Sequence, residues 1–424
     1  MDNFEEKWGA VAEKIGGELG ARVVAELKNL YTLFDTQMLT WQAELYDPKV
    51  GGFYFSNSAR DNEPFLPDCE STIATLGFIE GTKAIGSRKL DEALPEWLKK
   101  KIAKFAYSLQ DEDGYFYHPQ WGKDIKPLRK SRDYGTCIRL LRLGGIEPKY
   151  PLPTYLKKDE SYDISKAPER FRSVENFKAY LDSLNFDTDA YSAASLISSS
   201  FGEVKTYSEM LGVDLFAMIF EIMDAKQRPD NGMWNPEINV AGTNGLHKAT
   251  KIYNWAGHKI PYVDEAIDST MQVIMQDLVA TNGIEVYNPW CVLGSLLENK
   301  QKIWGASDEE IANTLRRLWE FAPAAIRKSY EKIKPLKKEG EGIGFGGGVK
   351  AQYSAYGSPV AQPGAEECNI NVSACGSVSL VSSIYYGLGM QELMVPMYCE
   401  EDFENYLSVI ERKEKEWQES CKAH

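Results

Sequence analysis

Carboxylates recur wherever the pattern places a helix start: Asp68 and Glu70, Asp133, Asp187 and Asp189, Glu366 and Glu367. Taken singly, each is accounted for as an N-cap or first-turn residue, because an acid there answers free backbone N–H groups. Gathered around one cavity, like charges raise one another's pKa and leave a protonated acid beside an ionised one, which general acid/base chemistry at a glycosidic bond requires. The candidate pairs are Asp187 with Asp189, and either of them with Asp68, Glu70 or Glu366. Arg132, Asn244, Tyr287, Trp290 and Asn369 stand beside them. Such amide-rich surroundings suit a polyhydroxylated substrate better than a hydrocarbon.

His247 is one of four histidines and falls four residues after Thr243, the expected cap. There the helix dipole favours neutral imidazole, suited to act as a base, and Asn244 shares its face at i, i+3. Tyr117, His118, Trp121 and Trp290 lie in or beside the turns expected to rim the mouth, where sugar rings stack on aromatic faces. Phe53, Phe116 and Trp234 are read as hairpin packing.

Composition excludes several classes. Lys plus Arg total 48 against 62 Asp plus Glu, a formal charge of −14, which disfavours nucleic acid as a partner. The seven cysteines form no Cys-x-x-Cys pair and no zinc-spaced cluster, so neither metal nor cofactor is expected. Gly342–Gly348 lacks the Lys-Ser/Thr ending of a phosphate loop, and no Gly-x-Ser-x-Gly elbow occurs. No apolar run is long enough to span a bilayer and the N-terminus does not read as a leader, so the expectation is a cytoplasmic protein.

The elements that must position these residues follow a repeat. A turn recurs at Gly52, Gly114, Gly232, Gly283 and Gly344, at intervals of 62, 118, 51 and 61 residues, the long gap being about two periods. Each turn joins an amphipathic helix to a second helix rich in small residues, with second helices expected to start near 68, 133, 187, 244, 288 and 368. Six such hairpins closing on themselves give an all-α (α/α)6 toroid, a single domain over 1–424. Residues 340–364 are too Gly-rich for a helix and are expected to cover the cavity, with Tyr353 and Tyr356 in reach of substrate. Residues 402–422 are expected to form a peripheral C-terminal helix.

The turns Gln110-x-x-x-Gly114-x-Phe116 and Gln227-x-x-x-x-Gly232-x-Trp234 resemble the Gln–Trp motifs of the terpenoid cyclase and protein prenyltransferase toroid superfamily. Asp187-Thr188-Asp189-Ala190 is similar to the Asp-x-Asp-Asp motif of class II terpene cyclases, and that resemblance implies Asp189 as proton donor. Ala190 replaces a carboxylate of that motif, and neither an Asp-Asp-x-x-Asp motif nor the prenyltransferase zinc set is present. Helical toroids also serve glycosidases and uronate lyases, and Asn244, His247 and a tyrosine resemble a lyase's charge neutraliser and acid/base. The expected function is therefore a glycosidase, or a uronate lyase, acting on an oligosaccharide in an acidic, aromatic cavity. The alternative is a cyclase-like enzyme using Asp189.

Overall fold

The computed structural model describes residues 4–152 and 164–423, which are predominantly helical. Strand among the described residues is confined to two-residue ladders, Tyr46–Asp47 with Gly52–Phe53 and Ser354–Ala355 with Ser358–Pro359.

Helices come in pairs. Gln37–Glu44 leads to Cys69–Gly81, Glu96–Ser108 to Pro127–Leu143, and Val174–Asp182 to Phe186–Ser199. Leu215–Lys226 leads to Val240–Ala256 and Val263–Met275 to Ile284–Glu298. Finally, Asp308–Ile333 leads to a run made of Ile370–Ala374, a π-helical turn Cys375–Ser379 and Leu380–Gly387.

First helices are amphipathic for the expected reason. Glu96–Ser108 buries Leu98, Ile102, Ala103, Phe105 and Ala106 on one stripe and leaves its lysines on the other. Second helices pack on one another in succession: 69–81 on 127–143, 186–199 on 240–256, 240–256 on 284–298, and 284–298 on 380–387. Ile370–Ala374 returns to the 69–81 helix, and packing is thinnest between 127–143 and 186–199. Small residues permit the close approach. A Cβ on Gly283 would lie 2.4 Å from the Gly376 Cα, and one on Gly245 2.7 Å from the Ala190 Cβ.

The recurring turn works through its glutamine. Gln227 ends the 215–226 helix, donates from Nε2 to the Gly232 carbonyl at 2.8 Å and accepts from the Tyr262 N–H, stapling the turn to the next helix pair. Gln110 does the same between Gly114 and Tyr150. Gly232 is required twice over: its φ is +66°, and a Cβ would meet the Ala266 nitrogen at 2.2 Å. Phe53, Phe116 and Trp234 are fully buried at these turns, and the Trp234 indole donates to the Met223 carbonyl at 2.9 Å.

Three second helices start earlier than their carboxylates and amides suggest. Pro127 opens its helix at the first position, which needs no N–H, so Asp133 sits in the second turn. Asn239, not Thr243, caps the 240–256 helix by accepting from Gly242 N–H, which moves His247 out of the first turn. Ile284 opens the fifth pair's second helix, its N–H bound by Asn282, and Pro289 lies inside it. The other three begin at Cys69, Phe186 and Ile370. The C-terminal helix, Glu400–Ala423, packs on Gln37–Glu44 through buried Phe403, Tyr406 and Ile410.

Candidate functional site

Asp68 caps the 69–81 helix, its Oδ1 accepting from the Glu70 and Ser71 N–H groups at 3.0 Å and its Oδ2 from the Ser71 hydroxyl at 2.5 Å. That cap faces Arg129, which is 0% exposed. Its guanidinium reaches Asp133 at 2.9 Å, Glu70 at 3.1 Å and Asp68 at 3.3 Å, and stacks 4.3 Å from the Trp121 ring centroid. Arg132, one turn on and more exposed, closes the other Glu70 oxygen at 2.5 Å.

Three carboxylates thus share two guanidiniums. Burial works against the Arg129 charge, but Asp68 and Asp133 outweigh it and hold it firmly protonated. Burial pushes Asp133 up to about 6 against the pull of Arg129, while the Cys69 thiol donates to it at 3.1 Å. The space beside this network, lined by Asp68, Glu70, Arg129 and Asn371, has a volume of about 10 Å³. It holds roughly one water and no sugar.

The Gly-rich segment crosses this corner as the Ser354–Pro359 hairpin. Its tip places Tyr356 with the Arg132 guanidinium 4.4 Å from its ring centroid. The Trp121 indole donates to the Pro359 carbonyl at 2.8 Å and stacks on His118, which donates from Nε2 to the Pro67 carbonyl and accepts at Nδ1 from Gln120 N–H. These bonds fix His118 as a neutral tautomer, and burial lowers its pKa. Tyr353 is exposed.

On the 240–256 helix, Tyr253 packs outward against Phe220 and Trp234. Helical periodicity therefore turns Asn244, Lys248 and Lys251 to the opposite face. Asn244 accepts from the Asn288 amide at 2.7 Å across to the 284–298 helix. Lys248 lies 5.3 Å from the Tyr191 ring centroid and within electrostatic reach of Lys251 and Arg132, which joins this face to the corner described above. Among the described residues neither lysine has a carboxylate partner. Burial first, then those two cations, lower Lys248 to about 8. Tyr287 and Cys291 complete the face from the 284–298 helix, both titrating high through burial.

His247, 4% exposed, is turned toward the 284–298 helix, edge-on to Tyr287 at 6.1 Å between centroids. Its Nδ1 is sealed without a partner. Burial, not the helix dipole, keeps the ring neutral: its pKa falls to about 3, with Lys251 and Lys248 adding to the effect.

The other expected residues are placed differently. Asp187 is exposed and pairs with Lys226 at 3.1 Å, because the 186–199 helix begins at the end facing the outer helix. Asp189 is exposed and accepts from Ser192 N–H at 3.1 Å, a cap at the kink of that helix. Neither joins the face that carries Lys248. Trp290 is 0% exposed and donates to Ser329 of the 308–333 helix, so it is packing between helices and not a sugar platform. Tyr117 is held on its own turn by Asp113 at 2.7 Å. Glu366 is exposed, whereas its neighbour Glu367 accepts from Ser56 and Ser58. Asn369 is a buried N-cap bound by Val372 N–H.

The structure therefore brings Asp68, Glu70, Arg132, Asp133, His118 and Trp121 into one corner, and Asn244, His247 and Tyr287 beside it. Arg129 and Lys251 went unmarked in the sequence. Their signals were the i, i+4 spacing of Arg129 to Asp133 and the i, i+3 spacing of Lys248 to Lys251. Compared with family models, curated proteins and solved structures, the chain matches none.

Proposed function

We propose that the six helix pairs close into an (α/α)6 toroid related to the cyclase and prenyltransferase scaffold, and that its centre cleaves a uronate-containing oligosaccharide by β-elimination. The observation that carries this reading is the convergence of Arg132, Lys248 and Lys251 on one half-buried face where, among the described residues, only Glu70 offers a matching carboxylate. Three cations against one carboxylate in a partly desolvated place ask for an anionic ligand. Elimination next to a carboxylate needs such cations, because they stabilise the charge that builds on the carboxylate as the α-proton leaves. Tyr191, Tyr287 and Tyr356 supply aromatic faces for the sugar rings.

The glycosidase alternative is less well supported. It requires one carboxylate free to attack or activate water and another free to protonate, yet Asp68, Glu70 and Asp133 are all bound by guanidiniums. A cyclase would need Asp189 inside, and Asp189 is at the surface.

The test is incubation with galacturonate, mannuronate and glucuronate tetrasaccharides. The expected result is a rise in ultraviolet absorbance from the new double bond conjugated to the carboxylate in at least one, with KM raised about tenfold or more in Arg132→Met and Lys251→Met. Saturated products would establish the glycosidase reading instead, and no cleavage of any of the three would overturn both.

A further inference from the structure

Resting on that reading, we propose that Lys248 is the general base that takes the proton alpha to the substrate carboxylate. Four other groups on or beside this face could be asked to do this, and each is unsuited. Both Glu70 oxygens are occupied, by Arg129 and Arg132. His247 is sealed at Nδ1, and an imidazole held near 3 is too weak a base to draw a carbon-bound proton. Tyr287 is partly buried, and burial holds its phenol protonated, so it has no phenolate with which to take a proton. Cys291 is likewise pushed up by burial.

Lys248 differs in geometry. It stands on the inner face of its helix with Tyr191 opposite it from the 186–199 helix, Arg132 from the 127–143 helix and Cys291 from the 284–298 helix. Lys251, one turn on along its own helix, is a further cation. With three sides cationic or neutral and no acid bound to it among the described residues, its ammonium is not locked in an ion pair. Loss of its proton is therefore easy at mildly alkaline pH, about 8. A base is best matched to its task when its pKa lies near the working pH.

The step balances as follows. The C5–H bond breaks and its proton passes to the neutral Lys248 amine. The electron pair forms the C4=C5 double bond. As that double bond forms, the C4–O bond breaks, and the glycosidic oxygen leaves with the C4–O bonding pair and takes the Tyr287 phenol proton. Lys248 ammonium and Tyr287 phenolate exchange the proton through water, which restores both groups. No oxidant, metal or further reactant enters.

The experiment compares wild type, Lys248→Arg and Lys248→Ala on whichever uronate tetrasaccharide the wild type cleaves. Arginine keeps the charge but does not lose its proton. Tetrasaccharide binding by Lys248→Arg, measured calorimetrically below pH 7, should stay within about threefold of wild type while turnover falls at least about a hundredfold. Wild-type turnover should rise with pH through about 8, and the variant should lose that limb. Methylamine added to Lys248→Ala should restore part of the turnover, which also shows that the variant is folded. Turnover within threefold of wild type in Lys248→Arg, or an unchanged pH limb, overturns the assignment and leaves the elimination itself standing. A wild type that binds the tetrasaccharides without forming the double bond overturns the elimination, so the two failures are distinguishable.

Discussion

Arg129 decides whether buried Asp68 and Asp133 and half-buried Glu70 can stay together. Removing it by Arg129→Met leaves Asp68, Glu70 and Asp133 facing one another with only Arg132 nearby, and breaking a buried ion pair from one side costs about 3–5 kcal/mol. The sign of the pH dependence follows from the direction of the shifts. A carboxylate whose folded pKa stands above its unfolded value favours the fold at low pH, and that contribution is lost as pH rises through the folded value, about 6 for Asp133 in the wild type. In the variant all three acids should shift upward, so the loss of stability seen by urea unfolding should be larger at pH 7 than at pH 5. Asp189 is the contrasting case, an exposed cap. Asp189→Asn should leave turnover within about twofold of wild type, and Asp189→Ala should cost about 1 kcal/mol in the same unfolding assay. Residue type and position at a helix start made both acids visible in the sequence. What separates them is the partner, because Arg129 comes from 61 residues away and only the fold brings it to Asp68.

At the scale of elements, caps and turns were the most legible features, since their chemistry is local. Asp68 fills the cap that its place at a helix start allowed, Asn369, expected among the substrate-facing amides, is a cap as well, and Gln110 and Gln227 bond within their own turns as well as to residues 40 and 35 positions on. Helix starts at Pro127, Val240 and Ile284 were misplaced by up to a turn or more because the conspicuous polar residues there lie inside the helix, held by partners on neighbouring helices. The hairpin over Arg132 is fastened at its Pro359 carbonyl by the Trp121 indole at 2.8 Å, with the Gln120 amide longer at 3.4 Å. Trp121→Phe keeps the ring between His118 and Arg129 but removes the bond to the Pro359 carbonyl, worth about 1 kcal/mol. Amide hydrogen exchange over residues 354–361 should accelerate about fivefold while the 69–81 helix is unchanged.

Across the whole molecule, the predominantly helical architecture was legible from the turn interval and the amphipathic first helices, whereas the cationic face of Arg132, Lys248 and Lys251 was not. A net −14 chain reads as acidic everywhere, yet Asp68, Glu70 and Asp133 are bound by guanidiniums and Asp187 by Lys226, while Lys248 and Lys251 have no carboxylate partner among the described residues. The terminal helix belongs to the same core: Tyr406 is fully buried, and the 400–423 helix lies against 37–44, joining chain positions more than 350 residues apart. Tyr406→Ala should cost about 3–5 kcal/mol. If the described helices form one cooperative unit, circular dichroism and tryptophan fluorescence should report the same urea midpoint in this variant.

The hairpin tip has a tyrosine where local backbone preference asks for another residue. Ala355 pairs with Ser358, leaving a two-residue turn in which Tyr356 has φ 52° and Gly357 φ 87°. Asparagine followed by glycine is the favoured pair for such a turn, and a bulky side chain in the left-handed region costs about 1 kcal/mol. A hairpin selected for rigidity alone would not spend that position on a phenol. Tyr356→Asn should therefore move two measurements in opposite directions, slowing exchange across 354–359 while lowering turnover of the uronate tetrasaccharide. The size of each shift would tell how far this turn has traded its own comfort for what lies beneath it.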